Sequence, residues 1–374
     1  MKSRLFSVVT AIAFLLANGQ RGTAQENFPF EIFDRYLKQL VQQIGMPGVS
    51  AAIIQTNPAN PNARPIIHPY NVGYADLERK IHAEYDTPYA IGGVTQAMTG
   101  VLAGVCIDRF TSVFSIDSDI RLTVPSFPVA NTSPRQVLSH STDGRFRYDP
   151  LLFAQLTPLI ESRQCLNMPF RRGMVTEVID RVRNVMTRTV PGMDLNRPEG
   201  DSARALFDAA DVARYQRVLA DLAVPYKIDK GRATRSEYPS YGLDAASGMV
   251  STVEDLVKFE TELDSDDGIP LSSFTLNRMW SRQTFDLLQP NGSTIKLEMP
   301  TGLGWFVTTE SNVDLVWTFG HIQDASSALI VKMPKKGLTL VMLANSGGLV
   351  QGYELENANV TSSPFVKVFL RLFI

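Results

Sequence analysis

Apolar residues recur at helical spacing in "FEIFDRYLKQLVQQIG", where Phe30, Phe33, Leu37, Leu40 and Val41 share one face and Gly45 stands where the helix must stop. Pro47 and Gly48 then lead into "VSAAIIQT", a β-branched apolar run that predicts a buried strand. After a proline-rich loop, "IIHPYNVGYADL" predicts a second. From about residue 94 to 240 helical spacing dominates instead, in "VTQAMTGVLAGVCIDRF", "LLFAQLTPLIES", "MVTEVIDRVRNVM" and "SARALFDAADVARYQRVLADL". "STVEDLVKFETEL" predicts a further helix, with Ser251 as its cap and Glu254 completing a capping box. β-type runs return in "GLGWFVTT", "DLVWTFG", "SSALIVKMP" and "GLTLVMLAN", with Pro334 to Gly337 as the turn between the last two. "SPFVKVFLRLFI" closes the chain as an apolar helix.

Helix and strands at the start, strands and helix at the end, predict an α+β fold in which one antiparallel sheet draws on both ends of the chain. The α/β part takes in roughly residues 25–93 and 241–374, and a mainly α insertion takes in roughly 94–240. No internal repeat interrupts this order.

The first 24 residues stand outside that fold. "MKSR" is basic, "LFSVVTAIAFLLA" is a thirteen-residue apolar run, and "NGQRGTA" ends in small residues, the order of a secretory signal peptide cleaved after Ala24. The alternative is an uncleaved N-terminal membrane anchor, but the run falls short of the roughly 20 residues that span a bilayer, and no later segment is long and apolar enough. A secreted or periplasmic protein is therefore expected. The 36 basic and 38 acidic residues give a net charge of -2 without a dense basic run, which argues against nucleic acid as a partner. The two cysteines, Cys106 and Cys165, are too few for a disulfide framework, and Cys106 in its apolar helical run reads as a small buried hydrophobe rather than half of a bridge. The four histidines lack ligand spacing, so neither a metal nor another cofactor is expected.

Taken in order, "MPGVSAAII", "VGYADLE", "TPYAIGGVTQAMTG", "RQVLSHSTDG", "FRYDPLLFAQLTPLIE", "ASGMVSTVEDLVKFETEL", "GLGW" and "FGHIQDASSALIVKMPKKGLTLVMLANS" resemble the penicillin-recognising serine hydrolases. The branch they match is that of class C β-lactamases, D-Ala-D-Ala carboxypeptidases and esterases, and the likeness covers nearly all of the chain after residue 24. It implies a β-lactamase/transpeptidase-like fold and acyl transfer by a Ser-x-x-Lys pair at the start of a buried helix. It also implies a Tyr-x-Asn beside the nucleophile and a Lys-Thr-Gly or His-x-Gly on the strand lining the cleft.

Aligned on those motifs, this chain departs from each. Gly93 takes the nucleophile position and Gln96 the lysine position, so neither an acyl acceptor nor a base stands there. Thr95, the nearest hydroxyl, points off that face of the helix. Tyr148 keeps the tyrosine, but Pro150 replaces the amide-binding asparagine. His321 is retained, and Gln323 replaces the glycine that lets a ligand lie against the strand. The literal Ser-x-x-Lys at 293–296, "STIK", follows Asn291-Gly292 and reads as a hairpin, and "SHS" at 139–141 reads as a cap-and-turn cluster.

Three readings follow. The first is an exported pseudo-enzyme whose old cleft, with Gly93, Gln96, Tyr148, Pro150, His321 and Gln323, binds a peptide, a cell-wall-derived small ligand or a partner. The second is a divergent hydrolase built on Tyr148 and His321 with another nucleophile, such as Ser326 or Ser327. The third is a fold kept without a ligand. A cleft left open favours the first, a hydrogen-bonded Tyr148–His321–Ser set the second, and a cleft filled by side chains the third.

Overall fold

The computed structural model describes residues 28–182, 185–193, 208–239, 242–265, 269, 271–288 and 291–374. The segment expected to be a signal peptide and the first part of the helical pattern that begins at Ser202 lie outside the described residues.

The apolar runs at the two ends of the chain pair into one seven-stranded antiparallel sheet. From the first end come β1 (Gly48–Gln55), β2 (Ile66–Asp76) and the short β3 (Ile81–His82). From the second come β11 (Phe306–Glu310), β12 (Val313–Ile322), β13 (Ser326–Met333) and β14 (Leu338–Ala344). The order is β11-β12-β13-β14-β1-β2-β3, so the first and last thirds of the chain meet where Ile53 stands opposite Leu340.

Alternation along each strand decides which layer a residue serves. In β13, Leu329, Val331 and Met333 face the layer made by helix α1 (28–44) and the C-terminal helix Pro364–Phe373, while Ala328 and Ile330 face the helices of the middle segment. In β14, Leu340 and Met342 divide from Val341 and Leu343 in the same way. Both faces are covered, and that is why these strands read as unbroken apolar runs rather than as the alternation of a half-solvated antiparallel sheet.

Helix α2 (Thr95–Arg109) runs through the middle layer and is buried at every position from Thr95 to Cys106. The predicted helices that follow it are shorter than the pattern implied. "LLFAQLTPLIES" divides into Pro150–Ala154 and Thr157–Glu161, and "MVTEVIDRVRNVM" becomes one end of Phe170–Met174 and a π-turn at Val175–Ile179. Proline at the first turn of the pieces at 150 and 157–158 is compatible with a helix start but not an interior, which accounts for the division.

Small strands complete the middle: β4 (Tyr89–Ala90), β5 (Val190–Pro191), β6 (Tyr226–Asp229), β7 (Arg232–Arg235) and β8 (Met249–Ser251). The "STIK" segment lies in the hairpin of β9 (Thr284–Leu288) and β10 (Thr294–Glu298), where Lys296 stands opposite Asp286. The hairpin reading of that segment holds.

Two expectations are corrected. Cys106 and Cys165 form a disulfide, their Cα atoms 5.0 Å apart and both side chains fully buried. Cys165 follows the helix Thr157–Glu161 in a turn that packs on α2, a proximity that 59 residues of sequence separation conceal. The cap of the helix Val253–Leu263 is Thr252, whose hydroxyl accepts from the Asp255 backbone N–H at 3.0 Å. Ser251 is held in β8 opposite Tyr89, and its hydroxyl bonds Thr189 at 2.8 Å. Strand pairing thus moves the cap one residue along.

One buried cation stands in the apolar layer. Lys332 on β13 reaches Asp264 at 2.7 Å and Glu260 at 3.0 Å, both presented by the helix Val253–Leu263 or its C-cap, and lies 4.6 Å from the centre of the Trp280 ring.

Candidate functional site

Residues 89–95 pass from β4 through a 3-10 turn, Gly92–Val94, into α2. This turn is pressed backbone-to-backbone onto the end of β12. A Cβ added to Gly320 would collide with the carbonyl of Ile91, and one added to Gly93 would stand 2.7 Å from the carbonyl oxygen of Phe319 and 3.1 Å from the Tyr148 hydroxyl. Carbon and its neighbours pack at about 3.5–4.0 Å, so any side chain at 93 forces the strand or the turn to move. Glycine at 93 is a packing requirement here.

One helical turn on, Gln96 is 3 % exposed and sits in a directed chain of hydrogen bonds. The direction follows from its first link. The Asp149 backbone N–H lies 3.2 Å from His140 Nδ1 and can only donate, so Nδ1 accepts and the ring proton is on Nε2. Nε2–H donates to Gln96 Oε1 at 3.0 Å, which turns the Gln96 amide nitrogen toward Tyr148, where it donates to the hydroxyl oxygen at 3.0 Å. The Tyr148 hydroxyl therefore receives a bond from Gln96 and keeps its own proton to donate.

No member of this chain is charged near neutral pH. Burial pulls the His140 pKa down to about 4, with the Asp149 carboxylate working against it. Burial pushes the Tyr148 phenol upward, and the Gln96 bond offsets part of that rise. His140 also packs on the Tyr148 and Phe153 rings, with centroids 4.7 and 5.3 Å away. Its backbone sits at φ 51°, a left-handed conformation that aims the ring beneath α2.

Gly93, Gln96, Tyr148, Pro150, His321 and Gln323 converge on one cleft of about 380 Å³. Phe319, Ile322, Leu151, Ala246, Asp244 and Ser247 line it as well, and Glu356 stands at its mouth. Pro150 opens a short helix capped by Asp149 and carries no amide toward the cleft. Gln323 is exposed just beyond the end of β12, and the cleft stays open beside it.

Burial lowers the His321 pKa, while the charges of Glu356 and Asp324 act to raise it. Among the described residues, no hydrogen bond joins His321 to Tyr148. The hydroxyls considered as replacement nucleophiles are engaged elsewhere. Thr95 accepts from the Met249 N–H at 3.3 Å, Ser326 donates to the Ala90 carbonyl at 2.7 Å, and Ser327 donates to the Ser346 carbonyl at 2.5 Å.

The cap-and-turn reading of "SHS" holds for Ser139, which ends the helix Pro134–Leu138, but it misses His140. His140 and Tyr148 lie eight positions apart, with no period or motif linking them. Asp244 and Glu356 carry no motif at all; a loop and a 3-10 turn far apart in the chain bring them to the cleft.

A sheet built from both ends of the chain, an inserted helical layer, and a buried helix that starts at the cleft beside the sheet define a β-lactamase/transpeptidase-like fold. The chain belongs to the β-lactamase family, whose model, described as Beta-lactamase, matches residues 33–362. Solved structures share the architecture at low identity. The octameric penicillin-binding protein homologue from Pyrococcus abyssi superposes with a TM-score of 0.65 at 18 % identity, over 89 % of this chain and 77 % of that one. The class C β-lactamase from Rhodobacter sphaeroides gives 0.64 at 14 %, over 93 % and 100 %, and a D-alanine carboxypeptidase from Burkholderia cenocepacia gives 0.64 at 16 %, over 93 % and 99 %. No curated protein matches the sequence. Among the described residues no helix is long and apolar enough to cross a membrane.

Proposed function

We propose that this chain is an exported member of the β-lactamase family that no longer transfers acyl groups and uses its cleft to bind a small ligand reversibly. The observation that carries this reading is the closure at Gly93: the turn and the Phe319 carbonyl stand too close for any nucleophilic side chain to grow from that backbone. Gln96 supports it from one turn away. Its amide is neutral and committed to His140 and Tyr148 on both sides, so it neither takes a proton nor approaches a carbonyl as a nucleophile. Removing a nucleophile and its activator together costs several orders of magnitude in acyl-transfer rate. The cleft remains open at about 380 Å³, within the roughly 300–1,000 Å³ range of small-molecule sites. A peptide or a cell-wall fragment is the ligand class to which the family relationship points.

The test is intact-mass spectrometry of the secreted form after incubation with penicillins, cephalosporins and activated esters. No adduct is expected. A stoichiometric adduct on the natural chain would sink the non-acylating reading and identify the residue that carries it. Mass analysis of the secreted form also reads the export claim, since cleavage after Ala24 leaves Gln25 as the first residue.

A further inference from the structure

The charge of the cleft wall narrows the ligand, given the reading of this cleft as a reversible binding site. Its walls carry two carboxylates, Asp244 and Glu356, and no lysine or arginine among the described residues. Two cations that neighbour lining residues in the chain or pair beside them have acidic partners of their own. Lys227 pairs with Asp324 at 3.3 Å beside the β12–β13 turn, and Arg147, largely exposed, lies 3.9 Å from Asp149.

Asp244 is partly buried. Its Oδ1 accepts the backbone N–H groups of Ala246 at 2.8 Å and Ser247 at 3.0 Å, and among the described residues neither carboxylate oxygen meets a cation. Burial raises its pKa, and the two backbone bonds offset only part of that rise. A carboxylate held this way, away from bulk water and without a counter-charge, gains most from a ligand that brings one.

The rest of the wall sets the remainder of the ligand. Phe319, Ile322, Leu151 and Ala246 offer apolar surface, and Leu151 at the rim is 81 % exposed. The Tyr148 hydroxyl, whose oxygen already accepts from Gln96, offers a donor.

We infer that this cleft takes an ammonium- or guanidinium-bearing ligand with an apolar body, which for a peptide means its amino end or a basic side chain, with the cation on Asp244 and within the field of Glu356, and that it rejects ligands whose only charge is a carboxylate. A ligand whose only charge is a carboxylate meets like charge from both acids and finds no lysine or arginine among the described lining residues, while burial holds the His321 ring of the same wall toward its neutral form. The same wall that draws an amine therefore excludes the acid of the same shape.

The experiment is calorimetric titration of the natural protein at low salt with three probes of one shape: 2-phenylethylamine, 2-phenylethanol and phenylacetate. The amine is expected to bind at least tenfold more tightly than either of the others, with the advantage shrinking as salt is added. Asp244→Asn keeps an acceptor for the Ala246 and Ser247 N–H groups, so the loop is retained. It is expected to bring the amine within about threefold of the alcohol, because a charge-assisted contact has been replaced by a neutral one. Glu356→Gln, at the exposed mouth, is expected to cost about twofold to threefold. Equal binding of the three probes, tighter binding of phenylacetate, no binding by any, or an amine preference untouched in Asp244→Asn would each overturn the inference. A covalent adduct in the mass experiment overturns the non-acylating reading while leaving this charge preference to stand or fall on the titration, so the two failures are separable.

Discussion

At the level of single residues, the chain from His140 through Gln96 to Tyr148 makes predictions that its relatives' chemistry would not. Gln96→Leu removes an acceptor from His140 and a donor from Tyr148 inside the protein. Leaving such groups unpaired costs about 1–3 kcal/mol each, so urea denaturation is expected to show a loss of at least that size. Gly93→Ser places a Cβ 2.7 Å from a backbone oxygen that cannot swing away as a side chain could. Overpacking of this kind costs about 1–3 kcal/mol, and a lowered melting temperature with no acyl adduct is the expected outcome.

His140 gives a pH dependence of definite sign. Its folded pKa, about 4, lies below the ordinary 6.5, so between those values the unfolded chain takes up a proton that the folded chain refuses. Its contribution to stability is intact above about pH 6.5 and is lost as the pH falls toward 4. The full span is about 3 kcal/mol, which should be missing from the stability-against-pH curve of His140→Gln relative to the natural chain.

At the level of elements, two cross-links hold the layers together in different ways. The disulfide joins α2 to the turn after Thr157–Glu161 across 59 residues. A loop of that length is worth about 4 kcal/mol by chain entropy, so the Cys106→Ala/Cys165→Ala variant is expected to unfold at markedly lower denaturant. Lys332 joins β13 to the helix Val253–Leu263 through Glu260 and Asp264. Replacing only the lysine leaves a fully buried carboxylate without its cation. Lys332→Met is expected to cost about 3–5 kcal/mol, and Lys332→Met/Glu260→Leu to recover most of it. Equal losses for the single and double variants would mean that packing, rather than charge, sets the cost.

At the level of the whole molecule, the sheet is closed by the pairing of β1 with β14, so its centre assembles only when the two ends of the chain meet. The central strands are covered on both faces, whereas β10 is exposed or partly exposed along its length. Hydrogen exchange should follow that division, slowest in β13, β14 and β1 and fast in β9 and β10. Exchange as fast in β14 as in β10 would contradict the closure.

Much of this was written in the sequence by itself. The strands β1, β12, β13 and β14, helix α1, α2 and the C-terminal helix each carry a period or an unbroken apolar run long enough to name the element, because burial repeats every second residue in a strand and every third or fourth in a helix. The motif order likewise brought out Gly93, Gln96, Tyr148, Pro150, His321 and Gln323, since each occupies a position whose neighbours keep the family's pattern. Tertiary structure alone decided the rest. The Cys106–Cys165 bond, the place of His140 under Gln96, and the meeting of Asp244 with Glu356 at one cleft depend on distances between segments that share no period and no motif. The shift of the helix cap from Ser251 to Thr252 came from strand pairing, which fixes a backbone before its side chain can choose a role. Local sequence dictates what an element is and which side of it is apolar. Which polar groups then face one another is settled by how the layers close.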